Sequence, residues 1–588
     1  MKISWLLAFG LILNGFLFPQ IPAGYETGLK YIDKDDIQKN VSVLANDTMK
    51  GRPAGTLEND IACKFIAEKF SQFGLIPFIE PRLPKTKKNE TNEDSDDDSK
   101  PPLLQQPKEE STPFEKYFQK FFIMESIIDV SKTSLSIITK SDVYSKVNTY
   151  SMRKDYIVDY KEMQSLNLTA QAIFLGYGIE KGEGDYSDFK DENGKVIDIK
   201  EKIVVFVEGY PQETDPSSIF NKGKNLSYKS TKKKVEVMLG KGALAVIVMA
   251  NPLRDLPPFS VNYEGYAKSF ERSDHSLPGL NRKSTIPLIY VDEKVVEDLF
   301  LESGKNLLKT LKEIDKTLKP ASFLIKEKTI NINLSYNINL IPTQNVVGYI
   351  EGSDPVLKNE FIILGGHMDH VGLGYFGAMD RKNSGQVHNG ADDNASGTAG
   401  IIELAEAFSK VKPKRSIIFV AFNGEEYGML GSRYYAYQSP FKDLSKTVTM
   451  LNLDMIGRNE TDQVWLGGIF YGDDMKGVIE EVNKEVGMEL FYNVGLLTFG
   501  SDQGPFIRKK IPSVFFFAGM HDEYHTPLDD IELLNFDKAY NIVKLAYLTA
   551  WSVANSDKKP AYRELTMDEK IKLVNDSLAR QKKNKNKD

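Results

Sequence analysis

The chain is 588 residues long, 41% hydrophobic and 27% charged, with a net charge of −7. One hydrophobic core seldom serves that length, so more than one domain is expected. The acidic balance excludes the clustered positive surface of a nucleic-acid binder, and the lone cysteine, Cys63, excludes an internal disulfide.

In chain order, Lys2 precedes an apolar run over residues 3–18, and residues 19–24 add prolines and small residues. That is the layout of a secretory signal. The run is short for a bilayer span and Asn14 interrupts it. Residues 1–24 are therefore expected to be cleaved, leaving a secreted or periplasmic protein with no membrane attachment beyond export. Residues 56–73 place Ile61, Phe65, Ile66, Phe70 and Phe73 at helical spacing, with Gly74 as the stop. Cys63 lies in that helix and reads as a small buried hydrophobe rather than a nucleophile. Residues 81–113, containing KTKKNETNEDSDDDSK, cannot bury enough apolar surface to offset ordering entropy and read as a disordered insertion.

Residues 126–335 read as a β-rich domain, with short β-branched runs at 172–178, Ile203–Val207, Ala245–Met249 and 286–291, and a helix near 234–239. No ligand cluster lies there, so the segment is expected to be non-catalytic. Over residues 336–558 the pattern changes. Strand-like runs at 345–350, 361–365, Ser416–Phe422, 448–453 and Ser513–Phe517 alternate with helices, and Ile401, Leu404, Ala405 and Phe408 share one helical face. Such alternation implies an α/β fold, a mostly parallel sheet covered by helices on both faces. Sites in such sheets form at the carboxyl ends of the strands. Residues 559–588 read as a charged, fraying tail.

Five of the six histidines fall in this α/β region. His367 follows a strand in Gly365-Gly366-His367-Met368-Asp369-His370, where Asp369 is placed to accept its second N–H; alone, the motif favours a hydrogen-bonded loop histidine over a ligand. Asp392-Asp393 opens a helix and alone could simply cap it. Glu425-Glu426 ends an apolar strand, where two adjacent carboxylates repel unless a cation or proton compensates. Asp454 stands in a nearly all-apolar strand end, where an unpaired charge is costly. His525 follows the last strand. Two imidazoles and three carboxylates, one from each strand end, form a donor set that suits zinc.

The motifs GGHMDH, GADDNASG, FNGEEYGMLGS, LNLDMIG and YHTPLDD, in that order, together with GRPAG at 51–55, resemble peptidase family M28. The resemblance covers about 50–80 and 340–556, so residues 25–125 become the first part of the peptidase domain, which resumes at 336. It implies the zinc-dependent exopeptidase fold; residues 126–335 are similar to an inserted protease-associated (PA) domain. It also implies two zinc ions per chain: His367 and Asp454 on one, Glu426 and His525 on the other, Asp393 bridging, and a cis Asp393–Asn394 peptide. Glu425 would be the general base, Tyr524 a donor to the oxyanion, and Asp369 a support behind the metal. The implied activity is hydrolysis of peptide or protein substrates at a chain terminus by a metal-activated water, with aminopeptidase as the family expectation. Gln503 stands where many relatives carry histidine, which leaves the ligand set intact and is expected to bear on the substrate pocket. A single-zinc glutaminyl cyclase and a metal-free binding protein on the same fold are the rival readings; the full ligand set argues against both. Oligomeric state is not legible.

Overall fold

The computed structural model describes residues 21–78, 114–141, 143–160, 164–223, 227–263, 273–279, 285–441, 443–493 and 498–575. The expected signal run and the 81–113 insertion lie outside the described residues, as does the tail beyond 575. Two compact units divide the chain: Met1–Ile123 with Ile341–Asp588, and Met124–Leu340.

In the first unit, helices α1 (Lys34–Leu44) and α2 (Leu57–Gln72) precede a sheet built mainly from the later part of the chain. Its strands and helices are β1 (Tyr336–Ile350), β2 (Phe361–His367), α3 (Gly397–Lys410), β3 (Ser416–Phe422), α4 (Leu430–Tyr437) and β4 (Thr447–Leu453). β5 (Gln463–Gly467), β6 (Glu489–Asn493), α5 (Gln503–Arg508), β7 (Ser513–Phe517) and α6 (Phe536–Asn555) follow. The strand order is β6-β5-β7-β4-β2-β3-β1. β3, β2, β4 and β7 run parallel to their neighbours, whereas β1 and β5 pair antiparallel with β3 and β7. The sheet is therefore mixed with a parallel centre, as the alternation of strands and helices implies.

Period-two side-chain alternation shows that both faces are buried. Ile362, Leu364, Ile417 and Phe419 join the core beneath α3 and α6, while Ile363, Ile418, Val420 and Phe422 join the opposite core with Tyr435 and Phe506. Each such side chain, fully buried, contributes about 1.5–3 kcal/mol. Four parallel strands end together, and their carboxyl ends are fixed from both sides. α2 begins with Thr56 capping the Asn59 N–H at 3.3 Å, and Gly74 follows at φ 75°. Cys63 is buried, as its context implied. Ile61, by contrast, is 47% exposed; the buried stripe of α2 runs through Ala62, Cys63, Ile66, Ala67 and Phe70. β5 and β6 have no counterpart in the sequence reading.

The second unit has an eight-stranded sheet in which Leu166–Phe174, Ile203–Val207, Ala245–Met249 and Leu288–Val291 are successive parallel neighbours. It is more helical than a β-rich reading suggests. Thr231–Gly240, Glu293–Phe300 and Leu307–Thr317 are helices, and the central strands are buried on both faces, Val205 and Ile247 in one core and Val204 and Val246 in the other.

Candidate metal centre

The strands of the parallel centre of the first unit deliver polar groups at or just beyond the ends of their hydrogen-bonded ladders. β2 ends on His367, β3 leads through Asn423 and Gly424 to Glu425 and Glu426, and β4 leads to Asp454. The turn Ala391–Ser396 opens α3 with Asp393, and the loop after β7 supplies His525. The Asp393–Asn394 peptide is cis.

These groups converge in two sets that share one carboxylate. His367 Nε2 lies 3.2 Å from Asp393 Oδ1 and 3.3 Å from Asp454 Oδ1. His525 Nε2 lies 3.0 Å from Asp393 Oδ2 and 3.1 Å from Glu426 Oε2. Asp393 thus turns one oxygen to each set. All five residues except Glu426, which is half-buried, are buried. His525 Nε2 and Asp454 Oδ1 carry no hydrogen bond despite these near neighbours. Lone pairs that converge without bonding one another, on a nitrogen and oxygen donor set, fit divalent cations of the zinc type.

Electrostatics agree. Burial alone would lower His367, but Asp454 and Asp393 outweigh it and hold it well above the usual histidine range. Burial is likewise overcome at His525, which Glu426 and Asp393 carry to about 12. Glu426, pushed up by burial, is drawn down to about 2 by His525 and His370. Protons and metal ions compete for these same lone pairs, so a bound dication releases protons. Glu425 differs: burial, reinforced by Asp502, Glu426 and Asp454 against the opposing pull of His367, pushes it well above the carboxylate range. Burial raises Asp454 too, and carries Asp369 to about 6; a carboxyl held upward among ligand groups is a candidate for handling protons.

A hydrogen-bond frame ties the loops together. Asp369 accepts the N–H groups of Glu425 at 3.2 Å and Glu426 at 3.4 Å with its two carboxylate oxygens. His367 Nδ1 is 3.1 Å from the main-chain carbonyl of Asp369 and 3.8 Å from its carboxylate. The expected orienting bond to His367 is therefore made by the backbone of Asp369, because its side chain is committed to the Glu425–Glu426 turn. Asp529 accepts the N–H groups of Asp392 and Asp393, each at 3.0 Å. Ser501 Oγ donates to Asp454 Oδ2 at 2.6 Å and accepts from Asn452 at 2.8 Å. Gln503 accepts from that same Asn452 at 3.1 Å and is fully buried. Gln503 thus shares the Asn452 amide with Ser501, the residue that donates to Asp454. Tyr524, half-buried, stacks on His525 with ring centroids 3.8 Å apart, and burial with the surrounding carboxylates raises its hydroxyl far above the usual range.

One residue of the site went unassigned in the sequence. His370 Nδ1 lies 2.8 Å from Glu426 Oε1, and its ring meets His525 edge-on at 5.3 Å. With a proton on Nδ1 it fixes Glu426; without one it adds a donor atom to the second set. The signal was present in the motif as a second histidine beside His367. Gly390, at φ 58°, shows why the adjoining turn needs glycine: a Cβ there would strike Asp393 O and the His370 ring.

Residues 345–550 match the model of peptidase family M28. Aminopeptidase YwaD of Bacillus subtilis is 26% identical over 245 residues, covering 40% of this chain and 49% of that protein. Leucine aminopeptidase 2 of Arthroderma otae is 30% identical over 200 residues, covering 32% of this chain and 37% of that one. Among solved structures, an aminopeptidase from Aneurinibacillus sp. strain AM-1 aligns over 92% of this chain and 99% of its own at 18% identity, with a TM-score of 0.46. The chain spans about half the length, or less, of these two curated relatives.

Proposed function

We propose that this chain, which carries a peptidase family M28 segment over residues 345–550, is a di-zinc exopeptidase that removes residues from the amino terminus of peptides. The observation that carries the reading is Asp393, whose two oxygens face separate donor sets. In this reading His367 and Asp454 hold one ion, Glu426 and His525 the other, and Asp393 is shared. Zinc held there supplies Lewis acidity toward a water and the scissile carbonyl at neutral pH. Glu425, its carboxyl raised by burial, takes a proton from the attacking water and returns it to the leaving amine. The Tyr524 hydroxyl donates to the carbonyl oxygen as negative charge develops on it. Asp369 keeps Glu425 and Glu426 diverging by fixing both of their N–H groups.

The reading extends to export, supported by Lys2 and the apolar run after it, and to a PA-like role for the second unit outside the chemistry. No helix among the described residues is long and apolar enough to cross a membrane. The test is elemental analysis of the purified protein, followed by hydrolysis of matched peptides with free and acetylated amino termini. Two zinc ions per chain and cleavage of the free-amine peptide alone are expected. One zinc with cyclisation of amino-terminal glutamine would favour the glutaminyl cyclase reading, and no zinc with no turnover would favour a binding protein.

A further inference from the structure

One buried cation touches two of the ligand loops, and the reading above gives it no task. Arg52, in the GRPAG segment ahead of α2, is fully buried and adopts a left-handed φ of 43°. Its guanidinium donates in four directions. Nε reaches Met368 O at 2.7 Å, Nη1 reaches Asn389 O at 2.5 Å and Leu44 O at 3.1 Å, and Nη2 reaches Gly390 O at 2.7 Å. Met368 stands between His367 and Asp369; Asn389 and Gly390 open the turn that carries Asp393. Two loops encoded apart in sequence are therefore joined through one rigid planar group.

The neighbouring residues press the same segment against the site. A Cβ on Gly51 would strike His388 O and lie 2.8 Å from Gly372 Cα, so the chain passes against the continuations of both loops. Asn59 donates to Arg52 O at 3.1 Å and to Asn423 Oδ1 at 3.2 Å, which extends the contact to the turn bearing Glu425 and Glu426. The guanidinium has carbonyl oxygens as its hydrogen-bond partners, and Asp393, Asp369, Asp529 and Glu426 act on it through space. Burying a charge is costly unless it is hydrogen-bonded and compensated, so the guanidinium is held to the one geometry in which all four acceptors are met.

We propose that Arg52 is a positioning residue that sets the separation of the His367 loop from the Asp393 turn, and with it the fit of Asp393 between two metal ions. This rests on the di-zinc reading. Lysine in its place keeps the charge but lacks the planar fork that reaches three loop carbonyls at once. Residues that orient ligands from behind change metal affinity by about 10–100-fold when replaced.

The experiment uses the full chain with Arg52→Lys and Arg52→Met, titrated with zinc against a competing chelator and, separately, loaded with cobalt for its visible spectrum. Wild type is expected to bind two zinc ions. Arg52→Lys should keep its circular dichroism and its KM, weaken the second zinc by about 10–100-fold, and change the cobalt spectrum. Its kcat should fall at limiting zinc and return in excess zinc. Arg52→Met should show the same pattern more strongly. Unchanged zinc affinity in a folded Arg52→Lys overturns the proposal. So does failure of Arg52→Lys to fold in saturating zinc, since the residue then holds the fold rather than the loop spacing. If wild type binds fewer than two ions, it is the di-zinc reading that fails.

Discussion

The two units contain the same device, a run of four parallel strands buried on both faces, and put different groups at its carboxyl end. In the first unit the strand ends lead to His367, Glu425 with Glu426, and Asp454. In the second, Phe174, Val207, Met249 and Val291 lead to Leu175, Glu208, Ala250 and Asp292. Glu208 is approached by the Tyr263 hydroxyl at 3.3 Å, and Asp292 caps a helix through the Lys294 N–H at 3.0 Å. Among the described residues neither carboxylate joins a cluster of imidazole and carboxylate donors. Parallel strands create a crevice, but the chemistry comes from which residues stand in it and whether their donor atoms converge.

The largest expected effect comes from separating two adjacent residues at one strand end. Glu425→Gln keeps size and donor geometry but cannot accept a proton, so it should bind two zinc ions with turnover reduced roughly 10²–10⁴-fold. Glu426→Gln should instead lose zinc, because a neutral amide is a poor ligand beside His525 and Asp393. Zinc stoichiometry and turnover measured on both variants decide it. If Glu425→Gln lost zinc while Glu426→Gln kept both ions, the two roles would be exchanged.

A carboxylate of the first unit away from the strand ends sharpens the contrast. Glu403 on α3 is buried, accepting from the Asp33 N–H at 3.2 Å and Asn40 Nδ2 at 3.3 Å, with no imidazole near it. Burial, with Asp36 and Glu406 adding, raises it to about 8. Glu426, half-buried and facing His525, goes the other way. The folded chain therefore holds the Glu403 proton more tightly than the unfolded chain does. Stability falls as pH rises from the ordinary glutamate range toward about 8, then levels off for this group. Glu403→Gln should lie close to wild type at pH 5 and exceed it at pH 9 by on the order of 4 kcal/mol. Denaturant midpoints at both pH values check this, and equal midpoints at pH 9 would show that the carboxylate is compensated in some other way.

The strand ends were legible because an apolar run that stops at His367, Glu425 or Asp454 is conspicuous in one dimension. The helical stripe of Ile401, Leu404, Ala405 and Phe408 was legible for the same reason, and all four are buried. What escaped depends on three dimensions. Ile61 has the spacing of the buried stripe but lies just off its edge. β5 and β6 are short and sit at the sheet margin, where the local pattern is weak. Asp369 was recognised as a support, but which of its oxygens faces His367 depends on where the Glu425–Glu426 turn lies. Arg52 stood in a recognised motif, yet its partners are main-chain carbonyls, which carry no sequence signature.

The smallest effect on the metal should come from the largest change to the chain. If strand-end composition alone makes the centre, the second unit is dispensable for zinc binding. Strands Phe118–Ile128 and β1 are neighbours, and the Asp129 N–H bonds Ser335 O at 2.8 Å, so residues 129 and 335 stand side by side; the stretch between them adds only the edge strand Asp274–Ser276 to the larger sheet. A short glycine-asparagine turn replacing residues 130–334 would close that gap as a hairpin connection does. Every ligand named above, and Arg52 with its acceptors, lies outside the excised stretch. Such a protein should bind the same number of zinc ions as the full chain, while its selectivity among peptides is free to change. Zinc content measured on the folded, monodisperse product is the check. Loss of both ions from a product that keeps its helical and sheet signature would mean that strand-end composition in the first unit is not sufficient to make the centre.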